Sequence, residues 1–384
     1  MSNIKNNENI KLLLRILIIF AISRGIMLIM VPVYNVIKGT DHSFIFLMNE
    51  WDAKKYAYII NNGYTFPTDI DPQANWAFFP LYVIVCAFFK TITFNLVNTY
   101  VIGMAVSNCC IIIAAFFAVR ILAKQTQVTE ESASLMAALM FMAPYTFYCS
   151  SVYTEAMFIM FIVLFFYFLS NKRYMLAGLM AAFSSATRIV GCLLVFALIV
   201  QLYIDIIHTR VSFGSLKKFV VEMLARPKEI LSVLLCPLGT FCYMMYLYFF
   251  CGDAWAFKNV QIAWRDDEYF PIVGVLWKAC TGQIEPRYTY MGWFCIAVLV
   301  LYGYMFYRKY YAMAVFGIIS LLVPLTSHVM STCRFTIGTY VVFVGIHDVL
   351  MRINRVARWI VMAVLAAIEV YLLFLWYNSD CWLM

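Results

Sequence analysis

The chain has 384 residues, of which 64% are hydrophobic and 12% are charged, and its formal net charge is +8. Its mean hydropathy is +0.84, whereas an ordinary globular domain carries about 25% charged residues. This composition excludes a soluble globular domain and indicates an all-α polytopic membrane protein. Nucleic-acid binding needs a concentrated basic patch, which this sequence lacks. The positive charge is therefore assigned to basic residues at the membrane surface.

The apolar segments predict about eleven transmembrane helices. A helix needs about 20 apolar residues to cross a bilayer. The first run, residues 11–29, resembles a signal peptide, but Arg24 and the lack of a small-residue cleavage site favour a retained span. The predicted spans are residues 10–36, 97–122, 133–149, 153–170, 174–187, 189–207, 229–251, 289–307, 311–327, 334–350 and 358–377.

The distribution of basic residues sets the predicted topology. Residues 77–89 are apolar but short, and we interpret them as a re-entrant or interfacial helix, because a crossing there would place Arg120, Lys172 and Arg173 on the wrong side. With a cytoplasmic N-terminus, 17 of the 28 basic residues fall on the inner side: Lys5, Lys11, Arg15, Arg120, Lys124, Lys172, Arg173, Arg210, Lys217, Lys218, Arg226, Lys228, Arg308, Lys309, Arg352, Arg355 and Arg358.

This topology gives the outer face two large loops, residues 37–96 and 252–288, within a single membrane domain spanning 1–384. Ionisable groups near the membrane interior are costly and are candidates for a functional site. The run at residues 265–268, Arg-Asp-Asp-Glu, lacks the fixed geometry of a metal site, and we interpret it as a solvated loop. The outer face collects Asp52, Asp69, Asp71, Glu155, Arg188, Asp253, Asp266, Asp267, Glu268, Glu285, His328 and Arg334.

The first loop contains WDAKKYAYIINNGY, which predicts a short amphipathic helix that stops at Gly63. Asp52 lies on the same face as Tyr56, Ile59 and Ile60, where an acid is unexpected. Its carboxylate could serve as a general base or orient a substrate. The alternative is an interfacial acid paired with Lys55.

An aromatic cluster follows in the same loop. Its residues could form a wall that stacks on a sugar or faces lipid, although Trp and Tyr also populate membrane interfaces in general. The cluster consists of Trp76, Phe78, Phe79, Pro80 and Tyr82.

Three tight outer turns each carry an ionisable group. Glu155 opens a span and could simply cap that helix. Arg188 lies in the Ser/Thr-rich break SSATRIVG and needs an anion, either Glu155 or a ligand phosphate. His328 and Arg334 share the turn SHVMSTCRF. Arg24, in the middle of the first span, is expected to pair internally.

The twelve cysteines do not indicate a disulfide framework or a metal site. Most fall in apolar runs, where Cys behaves as a small buried hydrophobe, and no CxxC pair suggests zinc. Only Cys251, Cys280 and Cys381 could face an oxidising side, and their pairing stays open.

These motifs together resemble the PIG-V mannosyltransferases, the family of GPI mannosyltransferase 2 and its prokaryotic relatives. WDAKKYAYIINNGY and NWAFFPLY are similar to the family's Trp-Asp, Gly-Tyr and Ala-Phe-Phe-Pro signature. APYTFYCSSVYTEAMF, SSATRIVG and STCRF resemble its later motifs, in the same order. Val190, where eukaryotic members commonly have Asn, and the chain's shorter length favour a prokaryotic-type member.

The resemblance implies a GT-C-type helical bundle whose first outer loop carries the catalytic acid. Such enzymes move a sugar from a polyprenyl-phosphate donor to a glycolipid or cell-surface glycan at the non-cytoplasmic face, with no cofactor or metal. We expect a bacterial cell membrane, or the endoplasmic reticulum if the protein is eukaryotic, and mannose as the sugar.

The resemblance also assigns roles to the matching positions. Asp52 would be the catalytic base, and Arg188, His328 and Arg334 would bind the donor phosphate. Substrate contacts would come from Trp51, Tyr56, Tyr64, Trp76, Phe79, Tyr153 and Glu155. A transporter or lipid flippase is the alternative, and it would be expected to show inverted repeats, which the sequence lacks.

Overall fold

A computed structural model describes residues 2–65, 75–125, 129–208, 211–261 and 272–383. The predicted outer acids Asp69 and Asp71 and the run at residues 265–268 lie outside these ranges. Every regular element in them is helical, as predicted for an all-α protein.

The helices of the first half are α1 (Ser2–Lys38), α2 (Phe44–Met48), α3 (Asp52–Asn62), α4 (Pro80–Ile92), α5 (Thr99–Gln125), α6 (Glu130–Met142), α7 (Glu155–Ser170), α8 (Tyr174–Thr187) and α9 (Leu194–Ile207). The second half contains α10 (Phe213–Leu224), α11 (Pro227–Leu235), α12 (Leu238–Cys251), α13 (Ala256–Asn259), α14 (Val273–Cys280), α15 (Arg287–Tyr307), α16 (Tyr311–Leu322), α17 (Thr332–Ile337), α18 (Val341–Leu350) and α19 (Arg355–Tyr377).

Each predicted span corresponds to a helical segment, but the segments differ in length. Among the described residues, α1, α5, α15, α19 and the helical stretch 189–207 are long and apolar enough to cross a membrane. The bent pair α11 and α12, at 51°, makes a sixth. Others are shorter because 3₁₀ turns interrupt them. The predicted span 133–149, for example, comprises the 13-residue α6 and a 3₁₀ helix, Thr146–Ser150. Thirteen residues extend only about 20 Å. The chain is thus a multi-pass membrane protein.

The described residues form two compact units. The first comprises residues 1–63, 83–160 and 333–384, and the second comprises 64–82 and 161–332.

In the first unit, α1, α6 and α19 run in the same direction. At their beginnings, Arg15 Nη2 lies 2.8 Å from Glu130 Oε2, and Arg358 Nη1 donates to Glu131 Oε1 at 2.7 Å. Near their ends, the Tyr377 hydroxyl donates to a backbone carbonyl of α1 at 3.0 Å. The predicted topology requires this shared direction, because these three spans should all cross from the inner side to the outer side.

The second unit is held together by small residues between α8 and the bent pair. A Cβ on Gly178 would lie 2.4 Å from the Ser232 carbonyl oxygen, so only glycine permits this approach. Thr240 donates its hydroxyl to the Ser185 carbonyl oxygen at 3.1 Å. Small and hydroxylated residues at helix contacts are typical of membrane proteins, where backbones pack closely without a hydrophobic driving force.

Candidate active site

The predicted acid Asp52 opens helix α3, directly after a strained residue. Trp51 precedes the helix with φ 53° and ψ −118°, a left-handed conformation that costs about 1–3 kcal/mol in a non-glycine residue. The buried Tyr153 holds this turn: its hydroxyl donates to the Glu50 carbonyl at 3.1 Å and accepts the Asp52 N–H at 3.1 Å. The direction in which Asp52 points is therefore set by a residue 101 positions away.

A second connection joins the same two segments. The Asn49 side-chain oxygen accepts the Val152 N–H at 3.0 Å, and Ser151 donates its hydroxyl to the Met48 carbonyl oxygen at 2.5 Å. Asn49 and Ser151 contribute side-chain groups, Met48 and Val152 contribute backbone groups, and all four residues are buried. The turn before α3 and the segment before α7 thus form one hydrogen-bonded assembly.

Arg334 on α17 lies between two carboxylates. Its Nη1 donates to Asp52 Oδ2 at 3.0 Å, and its Nε lies 3.3 Å from Glu155 Oε1. The Arg334 and Glu155 side chains are 13% and 3% exposed, whereas that of Asp52 is 37% exposed. The guanidinium also lies over the rings of Tyr148 and Tyr153, 5.4 Å from each centroid. The accessible carboxylate of Asp52 is therefore paired with the largely enclosed guanidinium of Arg334, which in turn faces the buried carboxylate of Glu155.

The cluster carries one positive and two negative charges. Burial lowers the pKa of the Arg334 guanidinium, but the charges of Asp52 and Glu155 outweigh burial, and the net result is a raised pKa. Within the residues that the structure describes, Arg334 Nη2 makes no hydrogen bond or ion pair. A further anion could therefore bind the same guanidinium, provided that it competes with Asp52.

Helix α3 itself agrees with the prediction. It begins at Asp52, ends before Gly63 at φ 79°, and buries Tyr56, Ile59 and Ile60 on one face. The alternative reading of Asp52, an ion pair with Lys55, is not what the described residues show, because the carboxylate is paired with Arg334.

Arg24 is paired inside the first unit, as the sequence predicted. Its Nε donates to Asn108 Oδ1 at 3.1 Å, and the Ser150 hydroxyl donates to the same oxygen at 2.9 Å. Arg24 also lies over the ring of Phe20, at 4.5 Å from the centroid. It is a structural residue that supports the turn beneath Tyr148.

Sequence reasoning missed Glu369, which supports that turn from α19. The buried Glu369 Oε1 accepts the Thr146 hydroxyl at 2.9 Å and the Phe147 N–H at 2.6 Å. These are the first donors of the 3₁₀ helix that carries Tyr148. The signal was a lone acid in an otherwise apolar span, which marks a partnered or functional group by default.

The predicted aromatic wall lies in the second unit and is largely packed. The Tyr64 hydroxyl donates to the Phe78 carbonyl at 2.7 Å, and the Tyr243 hydroxyl to the Trp76 carbonyl at 2.7 Å. Phe79 is 4% exposed, in a core cluster with Tyr243. Its ring is enclosed by protein, so this placement favours a packing role for Phe79 over direct contact with a sugar.

Arg188 and His328 also belong to the second unit. Arg188 is half-buried at the end of α8, in extended conformation. His328 Nδ1 accepts the Met330 N–H at 2.9 Å, and its ring meets that of Tyr288 edge-on at 4.5 Å. The predicted site residues of the first unit, namely Trp51, Asp52, Tyr56, Tyr153, Glu155 and Arg334, come together, and the remaining ones lie in the other unit.

None of the cysteines in the described ranges forms a disulfide, and this includes Cys251, Cys280 and Cys381. In the described ranges, no group of three or more His, Cys, Asp or Glu side chains is placed to hold a metal ion.

The described helices define a multi-pass helical membrane protein. No protein-family model matches the sequence, and no curated protein matches it. A solved structure of similar fold is the archaeal oligosaccharyltransferase AglB from Archaeoglobus fulgidus, in complex with an inhibitory peptide and a dolichol-phosphate. The TM-score is 0.50 at 10% identity, over 98% of this chain and 56% of the AglB chain. The chain thus spans little more than half of AglB, and the likeness bears on the fold alone.

Proposed function

We propose that the chain is a membrane glycosyltransferase. It would transfer a sugar, mannose by its resemblance to the PIG-V enzymes, from a polyprenyl-phosphate donor to a lipid-linked or surface glycan at the non-cytoplasmic face. The observation that carries the proposal is the ion-pair cluster of Asp52, Arg334 and Glu155. The fold shared with AglB, a structure that contains a dolichol-phosphate, adds support.

Asp52 is the group suited to receive a proton. The acceptor hydroxyl oxygen would form a bond to the anomeric carbon while its proton passes to the Asp52 carboxylate. The bond from that carbon to the donor phosphate oxygen would break, and the polyprenyl phosphate would leave with the bonding electrons. Asp52 is the one member of the cluster with more than a third of its side chain exposed, so a hydroxyl can reach it.

Arg334 is suited to the leaving group. A phosphate that binds Nη2 would draw the guanidinium away from Asp52 and stabilise the charge that develops on the departing oxygen. When Arg334 moves away, the Asp52 oxygen that it contacts would become available to the acceptor hydroxyl. Asp52 would thereby be released only when the donor is bound.

Glu155 would keep Arg334 in position during this exchange. Its carboxylate is 3% exposed and lies 3.3 Å from Nε, whereas Asp52 contacts Nη1. The resemblance adds Arg188 and His328 as further phosphate ligands, and loss of donor affinity in Arg188→Ala would test that role.

The deciding experiment is Asp52→Asn, assayed in membranes with a polyprenyl-phosphate-mannose donor and a lipid-extract acceptor. General-base catalysis contributes about 10²–10⁴-fold, so we expect transfer to fall by that factor. Asp41→Asn is the matched control, because Asp41 is exposed and makes no hydrogen bond or ion pair in the described part of the chain. Size-exclusion chromatography checks that both variants remain folded.

Two outcomes contradict the proposal. One is full transfer by Asp52→Asn. The other is a wild-type protein that transfers no sugar from any polyprenyl-phosphate donor yet moves a solute or lipid across vesicles, which would support the transporter alternative.

A further inference from the structure

A groove on the surface of the first unit lies between α1 and α6, and Trp359 of α19 lines one part of it. Its volume is about 600 Å³, within the range of small-molecule sites in proteins. The lining is almost wholly apolar and includes Leu14, Ile18, Ile22, Ala138 and Met142. It is separate from the Asp52 cluster, none of whose residues line it.

The α1 side of the groove is exposed. Leu14, Ile18 and Ile22 are 54%, 61% and 53% exposed, and they recur every four residues along one stripe of α1. In a bilayer such a stripe contacts acyl chains, because lipid tails are as apolar as these side chains and nothing drives the stripe to be covered by protein. Because Ser134, Ala138 and Met142 of α6 also line the groove, an acyl chain lying there would be contacted by two helices instead of one.

The groove ends in basic and aromatic residues. Lys11 and Arg15 line it one helical turn apart, and Trp359 lies beside them. Arg15 is already paired with Glu130 at 2.8 Å. Lys11 is exposed and makes no hydrogen bond or ion pair within the described ranges. Tryptophan and basic side chains at one level of a helical bundle are typical of the headgroup region.

The dimensions match one lipid leaflet. From Lys11 to Ile22, α1 rises about 16 Å, at about 1.5 Å per residue. Half of a hydrocarbon core about 30 Å thick is about 15 Å. A lipid whose headgroup contacts Lys11 would therefore lay one acyl chain along the full length of the groove.

We propose that this groove binds an anionic phospholipid, with its phosphate on Lys11 and Arg15 and an acyl chain along Leu14, Ile18 and Ile22. Basic pockets between transmembrane helices bind acidic headgroups in this way. The sugar donor does not fit the same place, because its phosphate must reach Arg334. The groove's basic end adjoins the beginnings of α1, α6 and α19, whereas Asp52 follows the end of α1.

The test is lipid binding by the full chain in detergent, measured by native mass spectrometry with 1-palmitoyl-2-oleoyl phosphatidylglycerol, the corresponding phosphatidylcholine, a polyprenyl phosphate, or free glycerol phosphate. We expect phosphatidylglycerol to be retained. Lys11→Gln should weaken its binding about fivefold, the usual effect of one basic residue near an anionic headgroup. Ile18→Trp should abolish binding by filling the groove.

Matched controls lie on the same helix. Ile29→Trp places the same ring at a position that is 65% exposed and outside the groove, and Lys38→Gln removes a charge from the other end of α1. Both should retain the lipid as the wild type does. The proposal is overturned if phosphatidylcholine binds as tightly as phosphatidylglycerol, if Ile18→Trp removes polyprenyl phosphate binding as well as phosphatidylglycerol binding, if glycerol phosphate alone competes for the site, or if Ile18→Trp and Ile29→Trp bind equally. None of these results depends on transferase activity.

Discussion

Replacing Arg334 with glutamine is expected to destabilise the protein far more than replacing either of its acidic partners. The Glu155 side chain is 3% exposed and faces Arg334 at 3.3 Å, so the substitution leaves a buried carboxylate without its cation. Breaking a buried ion pair in this way costs about 3–5 kcal/mol. Asp52 is 37% exposed, and Asp52→Asn should cost less than about 1 kcal/mol.

The double variant Glu155→Gln with Arg334→Gln separates this reasoning from a general loss of packing. It removes the buried charge together with its partner, so it should be more stable than Arg334→Gln alone, although one residue more has changed.

The assay is thermal unfolding of the purified variants in detergent, followed by tryptophan fluorescence. The reasoning is refuted if Arg334→Gln unfolds at the wild-type temperature. It is equally refuted if the double variant is less stable than the single one.

Two further substitutions test the packing of each unit. Glu369→Ala leaves the Thr146 hydroxyl and the Phe147 N–H buried without an acceptor, at a cost of about 1–3 kcal/mol each. Glu369→Gln keeps the accepting oxygen, so the alanine variant should unfold at a clearly lower temperature than the glutamine variant. Equal unfolding temperatures would contradict the assigned hydrogen bonds. Gly178→Ala places a Cβ 2.4 Å from a backbone oxygen of α11 and should cost about 1–3 kcal/mol by overpacking. Gly214→Ala has open space around it and should be neutral or stabilising by about 0.5–1 kcal/mol. Equal unfolding temperatures for these two variants would refute the prediction.

Local features of the structure follow from the sequence because their causes are local. The apolar segments predict helices in a membrane, since a backbone without water must satisfy its own hydrogen bonds. The stripe Tyr56, Ile59 and Ile60 and the stop at Gly63 predicted α3 to within one residue. Arg24 was expected to pair internally because an unpartnered charge in a span is too costly.

What the tertiary structure alone decided is which distant groups meet. Arg334 and Asp52 are 282 positions apart, and no periodicity or spacing in the sequence predicts that their side chains lie 3.0 Å from each other. The sequence equally offered Lys55 as the partner of Asp52, and Phe79 as an exposed ring. Helix packing brings α17 against the start of α3 and encloses Phe79 in a core, because the directions of helices and the depth of each side chain depend on contacts across the whole fold. Composition and pattern therefore determined that this is a helical membrane protein with an acid at the head of an amphipathic helix. Only the packed structure decided that this acid is held by Arg334.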